Sequence, residues 1–216
     1  MDDRHKAFAR ILLEGNVEAA LEYIKQYNYF DRFSIFDHIV TPSLFYIGEL
    51  WEQNEISVAD EHLATGVCDF VLSRLYPPAG SAGSLAKKAM FFCLEGEQHY
   101  LGLKMVSSLF EEKGWSTRNL GPNLPLEYAF NYARDWRPNI IGLSVSIVYH
   151  LPKLKTCVEA LAKLPYKPII LVGGRLAGKY DLEPYCENKA VILKDLESLE
   201  SWVSQTILGE KLDALS

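Results

Sequence analysis

AMFFCLEGEQHYLGLKMVSSLFEEKGWSTRNL, residues 89–120, changes its structural grammar three times. Residues 89–94 are an unbroken apolar run, of the length a strand buried on both faces needs. A polar loop with one glycine follows, then a helical pattern over residues 100–113, then a second short extended segment, STRNL. The alternation continues downstream: LEYAFNYARDW, NIIGLSVS, KLKTCVEALAKL, PIILVGG with a short helix, and AVILK with a last helix through Trp202. Five strands separated by helices predict a parallel sheet covered on both faces. About 130 residues suit a flavodoxin-like strand order better than a full six-stranded dinucleotide fold.

Upstream the strand signal disappears. A short helix over residues 3–13 ends at Gly15, and Asn16 is placed to cap the next, VEAALEYIKQY. The long pattern FSIFDHIVTPSLFYIGELWEQ contains Pro42, expected to kink or divide it. Ser57, with Asp60 three residues on, opens a helix that stops at Pro77-Pro78. Four helices on short turns predict a bundle over residues 1–76. Residues 77–86, PPAGSAGSLA, read as a linker, and residues 87–216 as the α/β domain.

Composition narrows the functional classes. The 216 residues are 49% hydrophobic with a formal net charge of -6, and no basic stripe suggests a phosphate-backbone partner. No apolar run approaches the ~20 residues of a membrane span, and the charged N-terminus lacks the apolar core of a signal peptide. The expected setting is the cytoplasm, with neither membrane nor direct nucleic-acid binding. The four cysteines form no CxxC pair; Cys68, Cys93 and Cys157 sit in apolar segments and are expected to be buried thiols.

In a sheet of this kind ligands bind beyond the carboxyl ends of the strands, near the point where strand order reverses. Three loops at that edge carry chemistry. After the first strand, His99 follows Glu97 by two residues, the spacing of an imidazole oriented by a carboxylate. After the third come Ser144 and Ser146, small residues offering hydrogen bonds. After the fourth, Gly173-Gly174 would let a bulky group lie against the backbone.

Taken together, Glu97-x-His99-x-x-Gly102, 41 intervening residues, Ser144-x-Ser146, 26 more and Gly173-Gly174 resemble the cobalamin-binding signature DxHxxG…SxL…GG. That signature belongs to methionine synthase, corrinoid methyl carriers and acyl-CoA mutases. Glu97 stands where the family has Asp, and Ser146 where it has Leu. The resemblance implies a base-off cofactor with His99 as the lower cobalt ligand and Glu97 holding the other ring nitrogen. Ser144, Ser146, Gly173 and Gly174 would lie along the displaced nucleotide tail, and Gly102 would start the helix packed against it.

The stretch from Trp51 to His62 resembles the W…EH pattern of CarH/LitR-type adenosylcobalamin photoreceptors. By that resemblance Trp51 and Val58 would contact the upper axial group, with Glu61 and His62 close by. Two departures stand out: no N-terminal helix-turn-helix is expected, and Glu52 follows Trp51 where CarH has the histidine that ligates cobalt after illumination. His62 is the nearest replacement. His150, after the third strand, is left between the cofactor edge, a helix cap and the surface; His5 and His38 read as structural or exposed.

The resemblance implies a sensor or regulatory module with no catalytic activity of its own, acting through a separate protein partner. The alternative is the corrinoid subunit of a methyltransferase system, which would carry methylcobalamin instead of adenosylcobalamin. A homo-oligomer is compatible with both. Photocobilins share the architecture and also hold a bilin, but no residue here marks a bilin site.

Overall fold

The structure, a computed structural model, describes residues 3–27, 30–77 and 86–213, with side chains described as far as residue 206. Apart from Pro77 and Ala86, the segment read as a linker lies outside the described residues. The chain divides into two compact units, Met1–Gly80 and Ser81–Ser216.

The first unit is helical: α1 (Arg4–Leu13), α2 (Val17–Lys25), α3 (Arg32–Ile35), α4 (Thr41–Glu52) and α5 (Val58–Leu75). Asn16 caps α2 by accepting the Ala19 N–H at 3.0 Å. Ser57 and Asp60 form a full capping box at the start of α5, each side chain accepting the other's backbone N–H. Phe8, Leu12, Phe36 and Ile39 are fully buried between these helices, with Phe8 stacked on Tyr23.

Pro42 neither divides nor stops its helix. A π-helical turn, Phe36–Val40, joins α3 to α4, and the Thr41 N–H reaches back to the Phe36 carbonyl. Proline brings no N–H and its ring crowds the carbonyl four residues earlier. The widened turn just before it absorbs that mismatch, so the helix runs on.

In the second unit β1 (Lys88–Cys93), β2 (Ser116–Asn119), β3 (Ile140–Ser144), β4 (Ile169–Gly173) and β5 (Val191–Ile192) form one sheet in the order β2-β1-β3-β4-β5. Every pairing is parallel, and the order is the flavodoxin-like one. The intervening helices are α6 (Leu101–Glu112), α7 (Leu126–Trp136), α8 (Leu151–Leu161) and α9 (Glu183–Cys186), with α10 (Leu196–Asp213) last. One sheet face packs Met90, Phe92, Ile141, Leu143 and Val172 against Ala133 of α7 and Leu154 and Val158 of α8. On the other, Phe91 meets Phe110 of α6, which in turn packs on Trp115. AVILK contributes only two residues, Val191 and Ile192, to the sheet, at its β5 edge.

The order reverses between β1 and β3, where consecutive connections leave in opposite directions and open a crevice at the carboxyl edge. The register sets Cys93, Ser144 and Gly173 side by side at that edge. The four cysteines are buried free thiols. No helix among the described residues is long and apolar enough to cross a membrane.

Candidate cobalamin site

The loop after β1 is shaped before it does any chemistry. Gly96 takes φ +87°, in the left-handed region, and the Glu97 N–H closes the turn onto the Leu94 carbonyl at 2.8 Å. Asn123, itself left-handed, accepts the Gly96 N–H through its side chain at 2.7 Å and donates its backbone N–H to the Glu97 carbonyl. The outcome is a fully buried Glu97 carboxylate beneath a half-exposed His99 ring.

Four donors converge on that carboxylate. Oε1 accepts from His99 Nδ1 at 2.5 Å and from the His99 backbone N–H at 3.1 Å. Oε2 accepts from the Ser146 backbone N–H at 2.8 Å and from His150 Nδ1 at 3.2 Å. Burial alone would raise the Glu97 pKa. The bonds from the His99 ring, the Ser146 N–H and the His99 N–H, with the His99 charge, outweigh it and hold the group at about 2. An ionised carboxylate only accepts, so it fixes Nδ1 of His99 as the donor and leaves Nε2 unprotonated, the form of the ring that can ligate a metal.

The contact from Ser146 is main-chain, so the departure from the family's Leu leaves this clamp intact. Ser144 is buried at the end of β3. Below the ring, Cys93 Sγ lies 3.6 Å from the His99 carbonyl. Burial, and then the Glu97 charge, push the Cys93 thiol up to about 12, so it stays protonated and donates.

The glycines differ in what they do. At Gly102, in the first turn of α6, an added Cβ would meet nothing within 4 Å, so open space borders the helix start where the resemblance puts the nucleotide tail. At Gly173 a Cβ would make ordinary contact with the Leu193 carbonyl. Gly174, at φ +100°, has Val145 backbone atoms within 2.8 Å of where its Cβ would stand. Its need for glycine is met by the protein's own chain.

In the helical unit Trp51 and Val58 are exposed, Glu61 is half-buried, and the His62 ring is exposed 3.9 Å from the Glu61 carboxylate. Two residues that the sequence reading did not place emerge here: His150 as a second imidazole on Glu97, and Asn123 as the brace of its loop. An Asn after Gly121-Pro122 signals a turn, but not which loop it braces.

Among the described residues no group of three or more His, Cys, Asp or Glu side chains is arranged to hold a metal ion by itself. One imidazole oriented by a carboxylate suits a metal that arrives with its other ligands in place, as cobalt does in a corrin. The open space at Gly102 fits the same cofactor.

The fold and these loops define a cobalamin-binding module. Residues 87–187 match the B12 binding domain family and residues 5–76 a second B12 binding domain family. It is 28% identical over 158 residues to the HTH-type transcriptional repressor CarH of Myxococcus xanthus, covering 72% of this chain and 51% of that protein. It thus spans about half of CarH. It is also 27% identical over 118 residues to dimethylamine corrinoid protein 3 of Methanosarcina mazei, 51% of this chain and 71% of that one. In fold it is similar to the monomethylamine corrinoid protein of Methanosarcina barkeri, with a TM-score of 0.72 at 17% identity over 92% of this chain and 96% of the other.

The buried carboxylate makes a prediction for the protein without cofactor. A group whose folded pKa is depressed from 4.5 to about 2 stabilises the fold fully above about pH 4.5 and loses that contribution as pH falls toward 2. The shift corresponds to roughly 3 kcal/mol. In urea unfolding, Glu97→Gln is therefore expected to be destabilised most near neutral pH, with the gap to wild type narrowing toward about pH 3. A gap that stays constant with pH would contradict an ionised, clamped Glu97.

Proposed function

We propose that the chain holds cobalamin base-off through Nε2 of His99, with Glu97 fixing the ring, and that it acts as an adenosylcobalamin-dependent light sensor or regulatory module. The observation that carries the ligand assignment is the 2.5 Å bond between Glu97 Oε1 and His99 Nδ1 at the carboxyl edge of the sheet. It presents one oriented imidazole beside open space.

The sensor role rests on the helical unit. Trp51 and Val58 are 45% and 55% exposed and share the unit's apolar surface with exposed Phe45, Leu63 and Phe70, as a lid for an upper axial group would leave them. Similarity to CarH favours the same role. Cobalamin supplies a visible chromophore and a photolabile cobalt–carbon bond. The chain's residues would hold it, shield its upper face and pass the change to a protein partner. Because Glu52 occupies the position after Trp51, the nearest candidate for a second imidazole on cobalt after illumination is His62.

The second reading, a methyl-carrying corrinoid subunit, is favoured by similarity to the dimethylamine corrinoid protein. Its partner would be a methyltransferase, and a separate helical unit would have to uncover cobalt. The two readings part in an absorption experiment. Protein reconstituted with adenosylcobalamin in the dark is expected to bind it, and green light to change the spectrum and the protein's conformation or oligomeric state. Trp51→Ala is expected to weaken adenosylcobalamin binding by roughly tenfold or more, about the value of one well-seated aromatic contact, and to spare methylcobalamin. Firm methylcobalamin binding with poor adenosylcobalamin retention would select the carrier.

A further inference from the structure

Glutamate in place of aspartate adds a methylene and a rotatable bond to the group that orients His99. A longer side chain reaches the ring by more than one rotamer, so its second oxygen needs an anchor if the first is to hold one position. His150 supplies a side-chain anchor beside the Ser146 N–H, from the turn that follows β3. Its ring is 13% exposed, and its Nδ1 lies 3.2 Å from Glu97 Oε2. It follows β3 in a 3-10 turn, Val148–His150, closed by its own N–H on the Ile147 carbonyl at 3.0 Å.

The loop beneath is built to receive it. A Cβ on residue 96 would come within 3.1 Å of His150 Nε2, so Gly96 lets the imidazole lie against the backbone as well as adopting φ +87°. Ser146 N–H and His150 Nδ1 thus grip one oxygen from both ends of a five-residue turn, while His99 takes the other.

We propose that His150 is a positioning residue for the cobalt ligand: through Glu97 Oε2 it locks the longer carboxylate, so that His99 keeps its proton on Nδ1 and offers Nε2. The proposal rests on the reading of His99 as that ligand. It makes two imidazoles share one carboxylate, both as the Nδ1–H tautomer, which is the less common form of free histidine in water.

Two readouts test it on the full chain. In the cofactor-free protein, 15N NMR of labelled histidines is expected to show Nδ1–H on both His99 and His150. His150→Phe fills the space without a donor and should return His99 toward the Nε2–H form; His150→Gln, which restores an N–H, should keep it at Nδ1. With bound cob(II)alamin, electron paramagnetic resonance is expected to show the histidine-ligated fraction at least tenfold lower relative to base-off cobalt in His150→Phe, and largely recovered in His150→Gln. Outer hydrogen bonds of this kind are generally worth 10–100-fold in metal affinity. An unchanged tautomer and ligated fraction in a folded His150→Phe would overturn the proposal and leave His99 ligation standing. A wild-type protein that binds cobalamin with no histidine nitrogen on cobalt would overturn both.

Discussion

His99→Ala is expected to remove the protein's nitrogen from cobalt and weaken cobalamin binding by more than the 10–100-fold that loss of an outer partner brings. The fold should survive, because the His99 ring is half exposed and its backbone N–H to Glu97 is retained. The deletion does expose a hazard: Glu97 remains buried with one donor fewer, so its pKa should rise and stability fall, most near neutral pH and less toward about pH 3. Titration with hydroxocobalamin, read in the visible spectrum, measures the loss. A variant with wild-type affinity and an unchanged cobalt environment would contradict ligation at this position.

Gly174→Ala is expected to produce the largest loss of stability of any single methyl added to the site. The new Cβ would stand 2.5 Å from the Val145 carbonyl oxygen, 2.8 Å from its nitrogen and 2.9 Å from Ser144 Oγ, at φ +100°. Two of those three neighbours are backbone, so the clash is relieved only by parting the ends of β3 and β4. Steric overlap and a disallowed backbone conformation together place the change at about 3 kcal/mol or more. Chemical denaturation of the cofactor-free protein measures it. A loss seen only with cofactor bound, and none without, would mean that the glycine serves the nucleotide tail and not the sheet.

How far the sequence reveals this arrangement depends on the range of each contact. The alternation from AMFFCL onward is legible because each apolar run is bounded by polar or glycine-bearing loops, and the central strands β1, β3 and β4 are buried on both faces. The Glu97–His99 pair is legible because its members stand only two positions apart. His150 reaches Glu97 across 53 positions and Asn123 reaches Gly96 across 27, distances over which local pattern says nothing. Gly174 reads in sequence as clearance for a ligand, because its approach to Val145 follows from the register of β3 on β4. Pro42 reads as a kink or a division because the π-helical turn that tolerates it has no simple sequence mark.

Electron paramagnetic resonance of bound cob(II)alamin, recorded with protein carrying ordinary and 15N-labelled histidine, tests the cobalt assignment most directly. Ligation by His99 is expected to split the cobalt lines into triplets with ordinary protein and doublets with labelled protein. Triplets that survive the labelling would show that the cofactor's own benzimidazole remains on cobalt and would contradict the base-off site built on His99.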